Sequence, residues 1–374
     1  MRPKHLLNLV SDRLHTLPLV VLYLTDGCNS RCVTCDIWRN PRRNMKMELV
    51  DEIAGACAEL GVRWVLLSGG EAMQHPHWPE IARRFRDQGI YTMLLTNGLF
   101  VRKQAKDIAA SVDELIVSLD GGNAATYHAI RGVDAFDLVI DGIRAVRQLG
   151  VPVSTRTTVQ RANFREIPQI IEVAKVADVN RVSFLTVDVS NQYAFGNRFP
   201  NVQLATADAF APPLYAVETR SAGVDAAFSP PLHLMERGLG CEGNLTPADI
   251  TELSQVLDDV ESRFAGDFAS GLLSESPAKL RRMVNYFNAI NGEGDFPRPR
   301  CNTPHISSVI EVDGTLRPCY FLPAYGQLNG AKLADAINLP AAQALRQAYR
   351  TGGRPECERC VCPLYKGPRA LMRM

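Results

Sequence analysis

Cys28, Cys32 and Cys35 fall within eight residues, in the run Cys-Asn-Ser-Arg-Cys-Val-Thr-Cys that follows a short apolar stretch. Three thiolates so spaced can hold three irons of a cubic iron–sulfur cluster and leave the fourth iron open to an exogenous chelate. A zinc site is the competing reading. Structural zinc takes four N or S ligands, commonly in paired units. No fourth ligand lies near: His15 precedes the apolar stretch, and His75 and His77 are an element away. A disulfide pair with one spare thiol is a third reading. Ligand softness and the three-plus-open arrangement favour the cluster.

A second set, Cys301, Cys319, Cys357, Cys360 and Cys362, lies near the other end of the sequence. A distant pair followed by a CxxC unit also suits structural zinc. Two cysteines belong to neither set. Cys57 falls inside a helical pattern and reads as a small buried thiol. Cys241 stands in Gly-Leu-Gly-Cys-Glu-Gly, between the two sets. Its S–H could return a hydrogen atom to a carbon radical; an incidental loop cysteine is the plainer reading.

These groups need a scaffold, and the chain of 374 residues is long enough for two or three units. Hydrophobic residues make up 46%, which supports a sizeable core. With 41 basic and 40 acidic residues the net charge is +1, so no broad footprint for nucleic acid or membrane exists. No stretch approaches the roughly 20 apolar residues that span a bilayer. Cysteines without an export signal read as metal ligands or redox groups, which places the chain in the reducing cytoplasm.

From about residue 18 to residue 186, apolar strands alternate with amphipathic helical stretches. The strand patterns are Leu17–Thr25, Trp64–Ser68, Thr92–Thr96, Glu114–Ser118, Val151–Thr158 and Arg181–Thr186. Between them, Glu48–Leu60, Trp78–Gln88 and Ala135–Leu149 carry apolar residues at helical spacing. Such alternation predicts βα units and a parallel sheet. Function collects at the C-terminal edge of parallel strands. There the sequence places the cysteine loop, Gly69-Gly70-Glu71, Asn97-Gly98, Ser118-Leu-Asp-Gly and Phe184-Leu185-Thr186 in strand order, with Arg156 late in the fifth strand. Helical patterns follow at Pro247–Arg263 and Pro277–Ile290, and Ser307–Val312, Asp313-Gly314, Thr315–Arg317 reads as a hairpin.

The CxxxCxxC loop after a first strand, with Gly-Gly-Glu after the second, resembles the radical S-adenosylmethionine (SAM) enzymes. The resemblance covers the first half of the chain and implies an α/β fold, a partial (β/α)6 TIM-like barrel. Cys301, Gly314, Pro318-Cys319 and the Cys357–Cys360 pair resemble the C-terminal module called SPASM, or its shorter form, twitch. That implies a small α+β iron–sulfur module with an auxiliary [4Fe-4S] cluster on Cys301, Cys319, Cys357 and Cys360. The full module has seven cysteines; here Cys362 follows the CxxC at an abnormal spacing, so one auxiliary cluster is expected. The expected divisions are a tail at 1–17, a barrel core at 18–200, a mostly helical connection at 201–300 and the module at 301–374.

The resemblance further implies SAM chelated to the open iron and split to a 5′-deoxyadenosyl radical. Gly69, Gly70 and Glu71 would place backbone against its methionyl amine. Ser118 would reach the ribose, Arg156 the carboxylate, and the backbone near Leu185 the adenine. Thr34 stands where the family often has an aromatic ring. The reductant would be an external low-potential donor of flavodoxin or ferredoxin type.

Several outcomes fit these parts. One is epimerisation of a small polar substrate, a sugar or aminocyclitol, with Cys241 as hydrogen donor. Another is dehydrogenation of the same class, with the auxiliary cluster as electron acceptor. A third is maturation of a ribosomal peptide, although only about 17 residues precede the first strand, too few for an added recognition domain. A two-cluster electron carrier or redox sensor is the non-catalytic alternative; it would have no use for Gly-Gly-Glu.

Overall fold

The computed structural model describes residues 4–35, 37–189 and 243–368. Six parallel strands carry the fold: β1 (Leu19–Thr25), β2 (Trp64–Gly69), β3 (Tyr91–Thr96), β4 (Glu114–Ser118), β5 (Val153–Val159) and β6 (Arg181–Thr186). They lie side by side in chain order, as expected for successive βα units. The helices between them bury one stripe each. Met47–Leu60 buries Val50, Ile53, Ala54, Cys57 and Leu60; Phe136–Gln148 buries Val139, Ile140, Ile143 and Val146. Cys57 is a core residue, its thiol donating to the Ile53 carbonyl at 3.2 Å.

Among the described residues the sheet does not close. The edge of β6 is instead covered by the segment 272–274: the Val182 N–H donates to Leu272 O at 2.7 Å, and the Ser274 N–H to Val182 O at 2.9 Å. This satisfies backbone that an open edge would leave unpaired. The other side of the sheet continues through β1. Strand β7 (Ser307–Ile310) pairs with it in parallel, from Leu19↔Ser307 to Leu22↔Ile310. Strands β8 (Thr315–Arg317) and β9 (Gly326–Gln327) follow antiparallel, giving nine strands among the described residues, in the order β6-β5-β4-β3-β2-β1-β7-β8-β9. Strand β1 reads Leu-Val-Val-Leu-Tyr-Leu-Thr and is buried almost throughout, as a strand flanked by neighbours and covered on both faces must be. The hairpin β7–β8 was legible in its turn residues; its parallel docking on β1 was not.

Helices Pro247–Arg263 and Pro277–Ile290 match their sequence patterns. The first opens on a capping box between Thr246 and Asp249. Asp249 also receives Arg165 at 2.9 Å, which fastens this helix to the end of the barrel.

Candidate functional site

At the C-terminal edge of β1, the chain turns into the cysteine loop. Two backbone bonds hold that loop to the end of helix Ala124–Arg131: the Arg31 N–H donates to Arg131 O at 3.1 Å and the Val33 N–H to Ile130 O at 3.0 Å. Gly132 caps that helix with φ +68°, and a Cβ there would sit 2.5 Å from the Arg31 carbonyl oxygen. Glycine is therefore required for the loop to approach. Arg131 pairs with Asp120 at 2.9 Å in a nearly buried site and lies within electrostatic reach of Cys32.

The end of β2 packs on the end of β1. The Gly70 N–H donates to Thr25 O at 2.7 Å and the Glu71 N–H to Gly27 O at 2.8 Å. A Cβ on Gly70 would come 2.2 Å from Gly27 O. The glycine is thus required first by the chain's own backbone; the expectation from sequence was approach to a cofactor. With these N–H groups engaged, carbonyl oxygens remain to meet an ammonium group. The Glu71 side chain is buried. It accepts from Met73 N–H at 3.1 Å, Thr96 Oγ1 at 2.8 Å and Asn97 N–H at 2.7 Å, while burial raises its pKa. Glu71 is thereby the clasp between the ends of β2 and β3. Asn97 then reaches the loop, its Nδ2 donating to Asn29 Oδ1 at 2.7 Å.

All nine described cysteines are free thiols, so no disulfide joins Cys28, Cys32 and Cys35. The three share one electrostatic neighbourhood. Burial pushes the Cys35 thiol up to about 12 and raises that of Cys28. A cationic cluster would reverse this by taking the thiolates. Among the described residues, no three of His, Cys, Asp and Glu converge closely enough to ligate one metal ion. A cluster, whose cysteines bind separate irons, needs them gathered but spaced. Soft donors in that arrangement fit the cluster.

The second cysteine set lines a cavity of about 910 Å³ in the barrel interior. Alternate residues of the strands form one wall, among them Leu66, Met93, Ile116, Arg156, Ser183 and Leu185. Cys301, Cys319, Cys357, Cys360 and Cys362 form part of the opposite wall. Burial pushes Cys357 up to about 12, with Cys301 the next contributor. The two cysteine sites meet through an apolar cluster. Cys28, Cys35, Leu66 and Tyr320 all pack against Val21, Tyr23, Ile37, Val309 and Val312. The rings of Tyr23 and Tyr320 lie 5.6 Å apart, and the Tyr320 phenol hydrogen-bonds Ser68 at the end of β2.

The structure thus gathers Cys28, Cys32, Cys35, Gly69, Gly70 and Glu71 at one edge, and the later cysteines with Arg156 and Leu185 around one cavity. Ser118 pairs in register with Arg156. Cys241 lies outside the described residues. Sequence reading did not single out Arg131, Tyr23 or Tyr320. The signal for Tyr320 was its place beside Cys319; Arg131 looks like any basic residue in a last helical turn. His75 is held in the fold, its Nε2 at 2.9 Å from Met45 O, and the exposed His77 ring lies 3.5 Å from Glu80.

The family profile of the radical SAM superfamily matches residues 22–187, and that of the SPASM iron–sulfur cluster-binding domain matches residues 301–361. An AdoMet-dependent heme synthase of Methanosarcina barkeri is 35% identical over 163 residues, 42% of this chain and 47% of that protein. A probable GTP 3′,8-cyclase of Saccharolobus islandicus is 31% identical over 167 residues, 43% of this chain and 54% of that one. The chain spans about half the length of the curated relatives it matches. Among solved structures, Streptococcus suis SuiB bound to precursor peptide SuiA covers 97% of this chain and 75% of its own, at TM-score 0.62 and 14% identity. The anSMEcpe protein with bound AdoMet covers 92% of this chain and 87% of its own, at TM-score 0.60 and 16% identity. These structural likenesses bear on the fold. The radical SAM domain implies a [4Fe-4S] cluster with SAM, and the SPASM domain implies an auxiliary iron–sulfur cluster. Two matched profiles, the first covering the barrel strands and the second Cys301, Cys319, Cys357 and Cys360, show that this chain carries a radical SAM domain followed by a SPASM domain.

Proposed function

We propose that this protein takes a hydrogen atom from a C–H bond of a substrate held in the barrel cavity, between the two cysteine sites. When bound, the first cluster and SAM supply a 5′-deoxyadenosyl radical, and the auxiliary cluster supplies a one-electron redox partner. Cys28, Cys32 and Cys35 would hold the first cluster; Cys301, Cys319, Cys357 and Cys360 would hold the second. Gly69, Gly70 and Glu71 fix the edge against which the methionyl amine would lie, and Ser118 stands at the same level for the ribose. The apolar cluster around Tyr23 and Tyr320 excludes water between the two sites.

The observation that carries this reading is that the strand interior and the later cysteines line one cavity. It favours oxidation of the substrate over epimerisation, because the auxiliary cysteines face the space a substrate would occupy. Return of hydrogen from Cys241 remains an expectation of sequence alone. A sugar or aminocyclitol finds no support among the relatives, whose names are those of heme, coproporphyrin and GTP enzymes and of a protein solved with its precursor peptide. A low-potential flavodoxin or ferredoxin is the expected reductant.

The test is anaerobic incubation of reconstituted protein with SAM and dithionite. The reading expects 5′-deoxyadenosine, and a product lacking two hydrogens once substrate is supplied. No 5′-deoxyadenosine from protein with full iron and sulfide would overturn it.

A further inference from the structure

Most charged side chains facing the cavity are neutralised within the chain. Arg181 pairs with Glu114 at 3.0 Å, Lys279 with Glu275 at 3.4 Å, Arg354 with Glu356 at 2.6 Å and Arg350 with Asp12 at 3.0 Å. Arg156, Arg298 and Lys366 have no carboxylate partner among the described residues, and of these three Arg156 has the buried, unpartnered nitrogen. Arg156 projects from β5 into the cavity, its Nε is buried without a hydrogen-bond partner, and no described carboxylate pairs with it. Its register partners are Ser118 on β4 and Ser183 on β6. Its electrostatic neighbours are the Tyr320 phenol and the Cys362 thiol, both from the SPASM side. At the other edge the cation near Cys32, Cys28, Cys35 and Glu71 is Arg131, which already has Asp120.

A guanidinium nitrogen buried without a partner is unfavourable, and a planar acid relieves this best, because two parallel N–H donors match two carboxylate oxygens. The Ser183 hydroxyl beside it already donates to Glu275 at 3.0 Å, so the guanidinium is the group that would hold the acid. We propose that the substrate carries a carboxylate and that Arg156 anchors it in the cavity, which rests on the reading of this cavity as the substrate site. The resemblance to SAM enzymes offered another source of the same chemistry, the methionyl carboxylate of SAM. The position of Arg156, toward Cys362 and Tyr320, favours the substrate.

The experiment uses the reconstituted full-length holoprotein and its Arg156→Gln and Arg156→Lys variants, each matched to wild type in iron content and melting temperature. SAM affinity is measured by equilibrium dialysis, and substrate-free cleavage by 5′-deoxyadenosine release. Probe binding is measured by calorimetry with a glutamate-containing pentapeptide and its glutamine counterpart. In wild type the glutamate peptide should bind at least fivefold tighter than the glutamine one. Arg156→Gln should abolish that preference, and Arg156→Lys should keep part of it. A tenfold loss of SAM affinity in Arg156→Gln with the peptide preference intact would assign Arg156 to SAM and overturn the proposal. So would a wild type with no preference for the carboxylate peptide. Absence of 5′-deoxyadenosine in wild type would instead sink the underlying reading, whatever the peptides do.

Discussion

The Arg131 guanidinium lies 2.9 Å from the Asp120 carboxylate, with side-chain exposures of only 12% and 5%. Asp120 also accepts the Thr158 N–H at 2.7 Å, and the Arg131 carbonyl accepts the Arg31 N–H. One ion pair therefore joins the ends of β4 and β5 to the loop that carries Cys28, Cys32 and Cys35. The cysteines are close in sequence, but their orientation is set by residues a hundred positions away.

Asp120→Asn should leave Arg131 buried without its counter-charge. Breaking such a pair from one side costs about 3–5 kcal/mol. The variant should melt well below wild type and lose iron from the first cluster ahead of the second. Arg131→Lys should be milder, since it keeps the charge. Electron paramagnetic resonance of the two reduced clusters, with and without SAM, reads the order of loss. Equal loss from both sites would refute the linkage.

Gly70→Ala should be severe for a reason unrelated to backbone freedom. The new Cβ would meet the Gly27 carbonyl oxygen at 2.2 Å, and neither backbone can yield without moving β1 or β2. SAM affinity should fall more than tenfold, with the auxiliary cluster retained. Gly55→Ala is the control. It lies in helix Met47–Leu60, where a Cβ meets nothing within 4 Å, so the change should stabilise by about 1 kcal/mol. Dialysis with SAM and thermal melts measure both; unchanged affinity in Gly70→Ala would refute the packing argument.

The strands were legible because buried parallel strands read as apolar runs and their ends carry glycine and polar residues in order. Helix Pro277–Ile290 was legible from its spacing, and Cys57 from its place on a buried stripe. What sequence could not supply was pairing at a distance. Leu19 and Ser307 are neighbours only because β7 adds to β1, and no local signal encodes that register. For the same reason Tyr320 looked like a residue after a cysteine, not a side chain reaching Ser68 on β2. Glu71 showed its place but not its task, since its three donors come from two different strand ends.

Five cysteines line the cavity, and one cubic cluster takes four. Cys319 has Cys357, Cys301 and Cys362 as electrostatic neighbours, and Cys362 has Arg156 first, then Cys301, Lys279 and Glu275. Cys362, which stands outside the Cys357–Cys360 pair and has Arg156 as its first electrostatic neighbour, is expected to be the free thiol. Anaerobic alkylation of the holoprotein followed by mass spectrometry should label Cys362 and spare Cys301, Cys319, Cys357 and Cys360. Chelation of the iron should expose those four, and Cys362→Ala should keep its auxiliary cluster signal. Protection of Cys362 in the holoprotein, with one of the other four labelled, would reassign the ligands.

His305 links the N-terminal segment to the SPASM part and should make stability pH-dependent. Its ring is buried, with Nε2 at 3.3 Å from Arg350 and 3.6 Å from Asp12, and the Tyr349 ring tilted against it at 5.7 Å. Burial and the Arg350 and Arg346 cations lower its pKa to about 4, against the opposing pull of Asp12. In the unfolded chain the ring titrates near 6.5. Between those values the unfolded state binds a proton that the folded state refuses. The stability from keeping His305 neutral is thus present above about 6.5 and lost as pH falls toward about 4. The slope is at most about 1.4 kcal/mol per pH unit. Urea unfolding of holoprotein at pH 7 and pH 5 should show wild type losing more stability than His305→Gln, which cannot take up the proton. Acid lability of the clusters acts on both proteins alike, so the difference between them is the measurement, and an identical loss in the two would mean that His305 is not held neutral.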